Sequence, residues 1–358
     1  MLCSPDWLNE NLGNPSVRIF DCSIEMRPQP VGRSILISGK DEWARAHIPG
    51  AQYLLMPDEL SSPTETILFG LPSPDHVQQV MRSHGVNDDD TIVLYSRGYI
   101  GPIVRVWWVL MASGARDVRV LDGGFEGWRE TGFALTDLCV TVSSWGDFTA
   151  RPRPDLRADI EDVAAALHDP DVVLVNALSP EQFVGSGGAN YGRPGRIPES
   201  ASVPLTDLLR PGTSWFRSLD EIAAIFDAAG VLRHSRIISY CGGGIAASGT
   251  TFALHLIGRT DASLYDGSLA EWSADPLRPM ILGSTERTEA PTTGTQGKGR
   301  RKAFERMVAR LELRGYQFEG DPSFMESVED WIEGRIEISK LRTLYGDLVR
   351  SRHRQLNR

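Results

Sequence analysis

One short stretch, residues 236–248, reads RIISYCGGGIAAS. Its first half, Arg236 to Tyr240, has the apolar and β-branched character of a buried strand, and the glycines after Cys241 predict a tight turn into a helix. Glycine lets a backbone wrap closely around a sulfur atom, and the first amides of a helix can point at it. The stretch therefore predicts a cysteine nucleophile at a strand-to-helix turn, where a thiolate or a persulfide would be stabilised.

An internal repeat extends from this stretch through most of the chain. Three landmarks recur with offsets of 149, 145 and 144 residues: 47–51 with 196–201, 92–96 with 237–241, and 122–128 with 266–272. Offsets this consistent indicate two copies of one domain. In this pairing, Ser96 of the first copy stands opposite Cys241 of the second.

Both copies alternate short β-branched runs with helical stretches. The predicted strands are 17–21, 91–95 and 118–121 in the first copy and 172–175, 236–240 and 262–265 in the second. The predicted helices are 74–84, 104–113, 160–167, 219–229 and 247–257. Such alternation predicts an α/β fold in which each copy is a parallel sheet flanked by helices.

Composition marks the boundaries of the domains. The predicted segments are a first domain at 1–136, a linker at 137–156, a second domain at 157–282, a flexible linker at 283–299 and a helical C-terminal extension at 300–358. Apolar residues at helical spacing flank a break at 315–322 and predict a helical hairpin: Phe304, Met307, Val308 and Leu311 before it, and Leu341, Leu344, Tyr345 and Leu348 after it. The apolar stripe of this hairpin can pack within the chain, form a homodimer or dock on a partner, in that order of expectation.

Composition also argues against several classes of function. The net charge is −10, and residues 298–358 carry 14 Lys and Arg against 10 Asp and Glu without the aromatic pattern of a nucleic-acid site. No apolar run approaches the ~20 residues of a membrane helix, and the first residues do not resemble a secretory signal, so we expect a cytoplasmic protein. Cys3, Cys22, Cys139 and Cys241 lie far apart in the sequence, which predicts neither a metal site nor a disulfide framework. A nucleotide-binding loop is missing, so we expect no cofactor.

Together these motifs resemble the tandem rhodanese sulfurtransferases. The resemblance covers about residues 4–280 and rests on the Cys241 loop, the Ile-Pro motifs at 48–49 and 197–198, the Asp-Gly-Gly and Asp-Gly-Ser motifs followed by Trp128 and Trp272, and the run RVWW at 105–108. It implies two rhodanese-like domains, of which the first is catalytically silent. It further implies ping-pong transfer, in which Cys241 takes a sulfane sulfur from a donor, holds it as a persulfide and passes it to a thiol, small-molecule or carrier-protein acceptor.

The resemblance also assigns roles to the loop that follows Cys241. Its backbone amides would hold the anionic sulfur, and the residues concerned are Gly242, Gly243, Gly244, Ile245, Ala246 and Ala247. A bulky side chain at Gly243 or Gly244 should therefore close the space that this loop forms around the sulfur. Cys139, in the predicted linker, is either a plain thiol or a resolving partner for the persulfide.

The chain departs from the family pattern where a donor would bind. The loop form Cys-Gly-x-Gly-Ile is closer to the mercaptopyruvate sulfurtransferase subgroup than to the thiosulfate subgroup. However, Leu178 and Gln182 stand where the family has donor-binding arginines, and Gly243 stands where the mercaptopyruvate enzymes have a serine. Arg193 and Arg196 either hold the carboxylate or sulfonate of a small-molecule donor or are solvated loop residues.

Two further classes of function are weighed against sulfur transfer. Cysteine phosphatases of related architecture need Cys-x5-Arg, and Ala247 stands at the arginine position, which argues against them. A non-enzymatic module that binds or regulates a partner is favoured by the missing arginines and opposed by the intact Cys241 loop. A third case stays within sulfur chemistry: the C-terminal hairpin would recruit a dedicated acceptor to the persulfide.

Overall fold

The structure, a computed structural model, describes residues 1–27, 35–62, 64, 67–189, 191–283, 301, 304, 308, 321–333, 335–336, 340–341, 344 and 348. The chain divides into two compact units, residues 1–284 and 285–358. Of the predicted flexible linker, only Gly283 lies within the described residues. Met307, Leu311, Tyr345 and most of the predicted break at 315–322 also lie outside them.

The first domain is built on a five-stranded parallel sheet in the order β1-β7-β6-β2-β5, and a short antiparallel pair, β3 with β4, stands beside it. The strands are β1 Leu2–Cys3, β2 Val17–Asp21, β3 Ile24–Arg27, β4 Ile35–Ser38, β5 Ala51–Tyr53, β6 Thr91–Tyr95 and β7 Asp117–Leu121. The helices are α1 Pro5–Glu10, α2 Lys40–Arg45, α3 Met56–Glu59, α4 Pro74–Ser83, α5 Gly101–Ala112 and α6 Gly124–Glu130.

The second domain repeats this arrangement with the strand order β8-β12-β11-β9-β10, again all parallel. Its strands are β8 Arg157–Ala158, β9 Val172–Asn176, β10 Ser200–Ser202, β11 Arg236–Tyr240 and β12 Ser263–Tyr265. Its helices are α7 Ile160–Ala166, α8 Pro180–Val184, α9 Leu219–Ala228, α10 Ile245–Leu256 and α11 Ser268–Trp272, with 3-10 turns at Pro154–Leu156, Leu205–Leu208 and Val231–Arg233. Matching strand orders confirm the duplicated α/β fold.

The central strands are buried on both faces, as expected for a parallel sheet covered by helices. Helix ends follow from local chemistry. Asp159, Ser179 and Ser218 each cap a helix with a side-chain oxygen and form a capping box. By contrast, α5 and α10 begin three and two residues earlier than predicted, because each starts directly at the glycine turn that follows its strand.

The two domains meet along α5 and α10. The indole of Trp107 is fully buried there, and its ring centroid lies 4.9 Å from that of Phe252 and 5.3 Å from that of His255, edge to face in both cases. A pair of reciprocal hydrogen bonds reflects the duplication: Asp122 accepts from Phe216 N at 3.0 Å, and Asp266 accepts from Leu71 N at 2.8 Å. Each Asp-Gly motif therefore holds a segment of the other domain.

Among the described residues of the C-terminal unit, a helix is present, as predicted. Its helix Pro322–Ile332 begins with a proline at the first position, and the side chain of Asp321 caps it by accepting from Ser323 N and Phe324 N. This helix ends at Ile332 and is followed by a turn at Glu333; Lys340, Leu341, Leu344 and Leu348 are also helical. Phe324, Val328, Ile332 and Leu341 are buried against one another, so part of the apolar stripe packs within the unit.

Candidate active site

Cys241 lies at the carboxyl end of β11, the central strand of the second sheet, and α10 begins four residues later. The residue is only 2% exposed but lines a cavity of about 240 Å³. Buried sulfur with access to a small cavity suits chemistry on a small group from which bulk water is excluded. The structure thus places the predicted nucleophile at the predicted strand-to-helix turn.

Neighbouring backbone fixes the position of Cys241. Its amide donates to the Ser268 hydroxyl at 3.1 Å, and its carbonyl accepts from Leu269 N at 3.1 Å. The carbonyl of Gly242 accepts from Ala270 N at 2.9 Å. Ser268 adopts a φ of 50°, a left-handed conformation that is uncommon outside glycine and that directs the start of α11 toward the cysteine loop.

The Cys241 sulfur itself accepts a hydrogen bond from the backbone amide of Gly244 at 3.2 Å. Gly244 has φ +87°, which turns its N–H back toward the sulfur and begins α10. A fixed donor at the positive end of a helix stabilises negative charge on sulfur. This contact is one of the amide-to-sulfur contacts that the sequence predicted for the loop.

The three loop glycines differ in what their surroundings require. A Cβ atom on Gly242 would stand 2.2 Å from the Tyr191 ring, and one on Gly244 would stand 2.9 Å from Nη1 of Arg105. A Cβ atom on Gly243 would meet no atom within 4 Å. A small side chain therefore has room at Gly243, and closure of the cavity by a bulky side chain at this lining residue stays a prediction.

The walls of the cavity come from both domains. The first domain contributes Met26, Phe69 and Tyr99, and the second contributes the remaining lining residues: Ala177, Leu178, Ser179, Gln182, Tyr191, Pro204, Leu205, Thr206, Cys241, Gly243, Ile245 and Ala246. Within the described part of the chain, no lysine, arginine, histidine or carboxylate lines it. The cavity is therefore aromatic and apolar, with a few hydroxyl and amide groups.

Burial and the charge of Cys241 raise the pKa values of two tyrosines in this lining. Burial raises the pKa of Tyr191 to about 12, and the negative charge of the nearby Cys241 adds to the rise. The same two causes raise the pKa of Tyr99. Tyr99 is also 42% exposed as a residue, so it both lines the cavity and reaches solvent.

Arg193 and Arg196 do not take the place that the anion-binding prediction gave them. The Arg193 guanidinium donates to the backbone carbonyls of Ser273, Asp275 and Arg278 at 2.8 to 3.0 Å. That of Arg196 donates to the carbonyl of Gly283 at 2.8 Å. Because their donors are bound to main-chain oxygens, both arginines hold loops together, and neither lines the Cys241 cavity.

A buried ion pair between the two domains lies next to the cysteine loop and outside the lining of the cavity. Arg105 of α5 is fully buried, its guanidinium lies 2.6 Å from Asp266, and it also donates to the carbonyl of Phe69. Nη1 of Arg105 faces Gly244, and Asp266 stands two residues before Ser268, which accepts from the Cys241 amide. The first domain thus braces the loop that carries the sulfur.

The equivalent loop of the first domain is built differently. Ser96 is 2% exposed, and its hydroxyl donates to the carbonyl of Tyr99 at 3.1 Å. Positive φ falls on Gly98, two residues after Ser96, whereas in the second domain it falls on Gly244, three residues after Cys241. Gly124 occupies the place of Ser268, so the hydroxyl that accepts from the cysteine amide has no counterpart.

Sequence reasoning missed Tyr99, Tyr191 and the pair of Arg105 with Asp266. Arg105 and Asp266 were quoted only as parts of family motifs, and their pairing joins residues that are far apart in the chain. The 145-residue offset pairs Tyr99 with Gly244 and was the one available signal, since a tyrosine in place of a loop glycine indicates that the loop of the first domain is built differently.

No group of His, Cys, Asp and Glu side chains suited to a metal ion occurs among the described residues. None of the described helices is long and apolar enough to cross a membrane.

Comparison with known proteins agrees with this architecture. The rhodanese-like domain family matches residues 4–131 and 159–275. The 3-mercaptopyruvate sulfurtransferase of Escherichia coli is 31% identical over 282 residues, which span 77% of this chain and 96% of that protein. The structure of SseA from Escherichia coli superposes with a TM-score of 0.66 at 29% identity, covering 75% of this chain and 98% of that one.

A second solved structure is the anaerobic ergothioneine biosynthesis enzyme from Chlorobium limicola in complex with trimethyl histidine. It matches with a TM-score of 0.67 at 25% identity, over 79% of this chain and 70% of that one. These relatives are enzymes, which does not favour the reading of the chain as a binding module alone. The chain belongs to the rhodanese family and is a sulfurtransferase with two rhodanese-like domains.

Proposed function

We propose that Cys241 accepts a sulfane sulfur from a donor, carries it as a persulfide and delivers it to a thiol, small-molecule or carrier-protein acceptor. The observation that carries this assignment is the Cys241 sulfur itself, buried at the floor of a small cavity and accepting from Gly244 N at 3.2 Å. Anionic sulfur is both the attacking group in the first half-reaction and the leaving group in the second. The backbone amide of Gly244 would stabilise the sulfur anion in both half-reactions.

With a persulfide donor and a thiol acceptor, each half-reaction exchanges one S–S bond. In the first, the Cys241 thiolate attacks the sulfane sulfur of the donor, a bond from Sγ to that sulfur forms, and the bond between it and the rest of the donor breaks. In the second, the acceptor thiolate attacks the outer sulfur and Cys241 leaves as a thiolate. The apolar walls exclude water during the interval in which the persulfide is stored.

The lining of the cavity favours a donor that does not depend on arginine or lysine side chains for binding. Thiosulfate and mercaptopyruvate are anions, and in related sites arginine forks hold such groups. Here Leu178 and Gln182 stand at those positions, while Arg193 and Arg196 bind main-chain carbonyls. We therefore propose a low-molecular-weight persulfide as the preferred donor.

The test is the intact mass of the protein after separate incubation with thiosulfate, mercaptopyruvate and a cysteine persulfide, with Cys241→Ser as the matched control. A gain of one sulfur, about 32 Da, that dithiothreitol removes and that the control lacks is expected. Faster loading from mercaptopyruvate than from the persulfide would contradict the donor assignment alone. Loading that persists in Cys241→Ser would overturn the function itself.

A heteroaromatic small molecule is a second candidate for the acceptor. Phe69, Tyr99 and Tyr191 give the cavity three aromatic rings within reach of Cys241, and flat rings stack well on such walls. The structurally similar enzyme bound to trimethyl histidine supports this choice. Incubating the persulfide-loaded protein with trimethyl histidine and with cysteine compares the two acceptors; discharge by cysteine alone would contradict the heteroaromatic assignment.

For the C-terminal extension we propose that its apolar side chains pack within the unit and do not form a homodimer. Its described apolar side chains Phe324, Val328 and Ile332 are buried inside the unit itself, which leaves less apolar surface for self-association. Light scattering of the full chain is expected to give the mass of one 39.5 kDa chain. A stable dimer mass would contradict this assignment.

A further inference from the structure

We propose that the outer sulfur of the Cys241 persulfide is held by two tyrosine hydroxyls, Tyr99 from the first domain and Tyr191 from the second. The inference rests on the proposed function, because it concerns the state in which the sulfur is loaded. It gives the catalytically silent domain a direct contact with the reacting atoms.

The geometry places both rings beside the sulfur. Tyr99, Tyr191 and Cys241 line the same cavity. The Tyr191 ring lies against Gly242, the residue next to the cysteine, so closely that a Cβ atom there would be 2.2 Å from Cε2. Tyr99 reaches the cavity from the altered loop of the first domain, with its ring over Gly101 at the start of α5.

Neither tyrosine hydroxyl has a hydrogen-bond partner among the residues that the structure describes. Tyr99 and Tyr191 take part through their backbone carbonyls only, which accept from Ser96 and Ser273. Both hydroxyls are therefore available as donors to a ligand atom. A ligand atom at the mouth of the cysteine loop would satisfy both.

The protonation state makes these hydroxyls donors. Burial and the charge of Cys241 raise the pKa of both tyrosines, so both hydroxyls keep their protons at neutral pH. The coupling is reciprocal: a negative sulfur that disfavours tyrosinate is itself favoured by a neutral hydroxyl donor. A persulfide ionises more readily than a thiol, so the outer sulfur is the anion that these donors suit.

Other side chains in the cavity are poor alternatives. Ser179 and Gln182 are engaged with each other in the cap of α8, and the amide of Gln182 also donates to the carbonyl of Ala189 at 3.0 Å. The charged pair of Arg105 and Asp266 lies behind the loop and does not line the cavity. With Thr206, the two tyrosines are the lining residues whose hydroxyls have no such engagement among the described residues, and only the tyrosines come one from each domain.

Bond changes are those of the proposed half-reactions. As the donor S–S bond breaks, its electron pair leaves with the donor's remaining sulfur, which takes up the proton that the outer sulfur of the new persulfide releases, and the two hydroxyls bind the resulting anionic outer sulfur. When an acceptor attacks, the bond from Sγ to the outer sulfur breaks, the electron pair passes to Sγ, and the amide of Gly244 receives the charge. No oxidant, reductant or net proton change is needed.

Tyr99→Phe and Tyr191→Phe test the inference, with Tyr53→Phe as a control because its hydroxyl binds Ser23 and Gly39 away from the cavity. Each protein is loaded with a cysteine persulfide, and the alkylation rate of the loaded sulfur is measured across pH. Loss of one donor to an anion should move the midpoint of this profile upward by about one pH unit, a tenfold change, in either variant. The control should match the wild type.

Three results would decide against the inference or a part of it. Unchanged midpoints in both variants would overturn it. A shift in Tyr191→Phe alone would overturn the role of the first domain. A wild-type protein that does not load at Cys241 would reject the proposed function and, with it, the inference. Equal thermal midpoints of all four proteins exclude unfolding as the cause of a shift.

Discussion

Replacing Gly244 by alanine tests the geometry of the cysteine loop most directly. With φ +87°, an L-residue at this position costs about 1–2 kcal/mol of backbone strain. The new Cβ atom would also stand 2.9 Å from Nη1 of Arg105 and 3.2 Å from the carbonyl of Asp266. Arg105 cannot withdraw easily, because its guanidinium lies 2.6 Å from Asp266. The loop must move instead.

Movement of the loop weakens the hydrogen bond from Gly244 N to the Cys241 sulfur, which is 3.2 Å long. A hydrogen bond to a charged group contributes about 1.5–3 kcal/mol, which corresponds to about 10- to 150-fold in rate. We therefore expect Gly244→Ala to slow persulfide loading by at least tenfold and to lower the free energy of unfolding by about 1–2 kcal/mol.

Gly243→Ala is the matched control one residue away. Its Cβ atom would have no neighbour within 4 Å, so loading should change by less than about twofold and stability by less than about 0.5 kcal/mol. Quenched-flow mass spectrometry measures loading, and urea unfolding measures stability. Equal losses of activity in the two variants, or full activity in Gly244→Ala, would refute this account of the loop.

The remaining predictions concern the Ser96 loop of the first domain, the domain interface and acid stability. Ser96→Cys should not gain a second persulfide in the mass assay, because its loop has positive φ at Gly98 and so lacks the geometry by which Gly244 N reaches the Cys241 sulfur; a second sulfur would show otherwise. Arg105→Met should lower the free energy of unfolding in urea by about 3–5 kcal/mol, since it leaves Asp266 buried without its partner, and the double variant with Asp266→Leu should recover part of this loss; a single-variant loss below about 1 kcal/mol would contradict the pairing. Burial lowers the pKa of His255 below its ordinary 6.5. Below pH 6.5 the unfolded chain therefore binds a proton at this residue more readily than the folded chain does. The free energy of unfolding then decreases with falling pH until the folded-state pKa is passed. Thermal midpoints of His255→Phe should fall less than those of the wild type between about pH 7.5 and 5.5, and parallel curves would exclude this role.

Much of the fold followed from local pattern and duplication. The strand Arg236–Tyr240 was predicted to the residue, and β2 and β6 likewise, because short β-branched runs bounded by turn residues mark buried parallel strands. Helix starts were less well predicted. α5 and α10 begin at glycine turns, where a tight connection from the preceding strand outweighs the low helix propensity of glycine.

Prediction of the site was uneven for a physical reason. Cys241 and the amide of Gly244 are three residues apart, so their contact depends on a local turn that the glycines reveal. Arg193 and Arg196 have long side chains in a loop, and the carbonyls that bind them come from residues about 80 positions later in the chain. The local sequence does not show which backbone carbonyl oxygens an arginine side chain will bind.

Sequence alone established two copies of one α/β domain, a single cysteine in a glycine loop and the class of chemistry that such a loop performs. The path from strand to turn to helix around Cys241 is encoded by adjacent residues, so it is readable without a structure. The tertiary fold assigned Tyr99, Arg105 and Asp266 to the same site, across an interface between domains. Packing brings together residues more than a hundred positions apart, and the free energy of those contacts depends on geometry that no short pattern encodes.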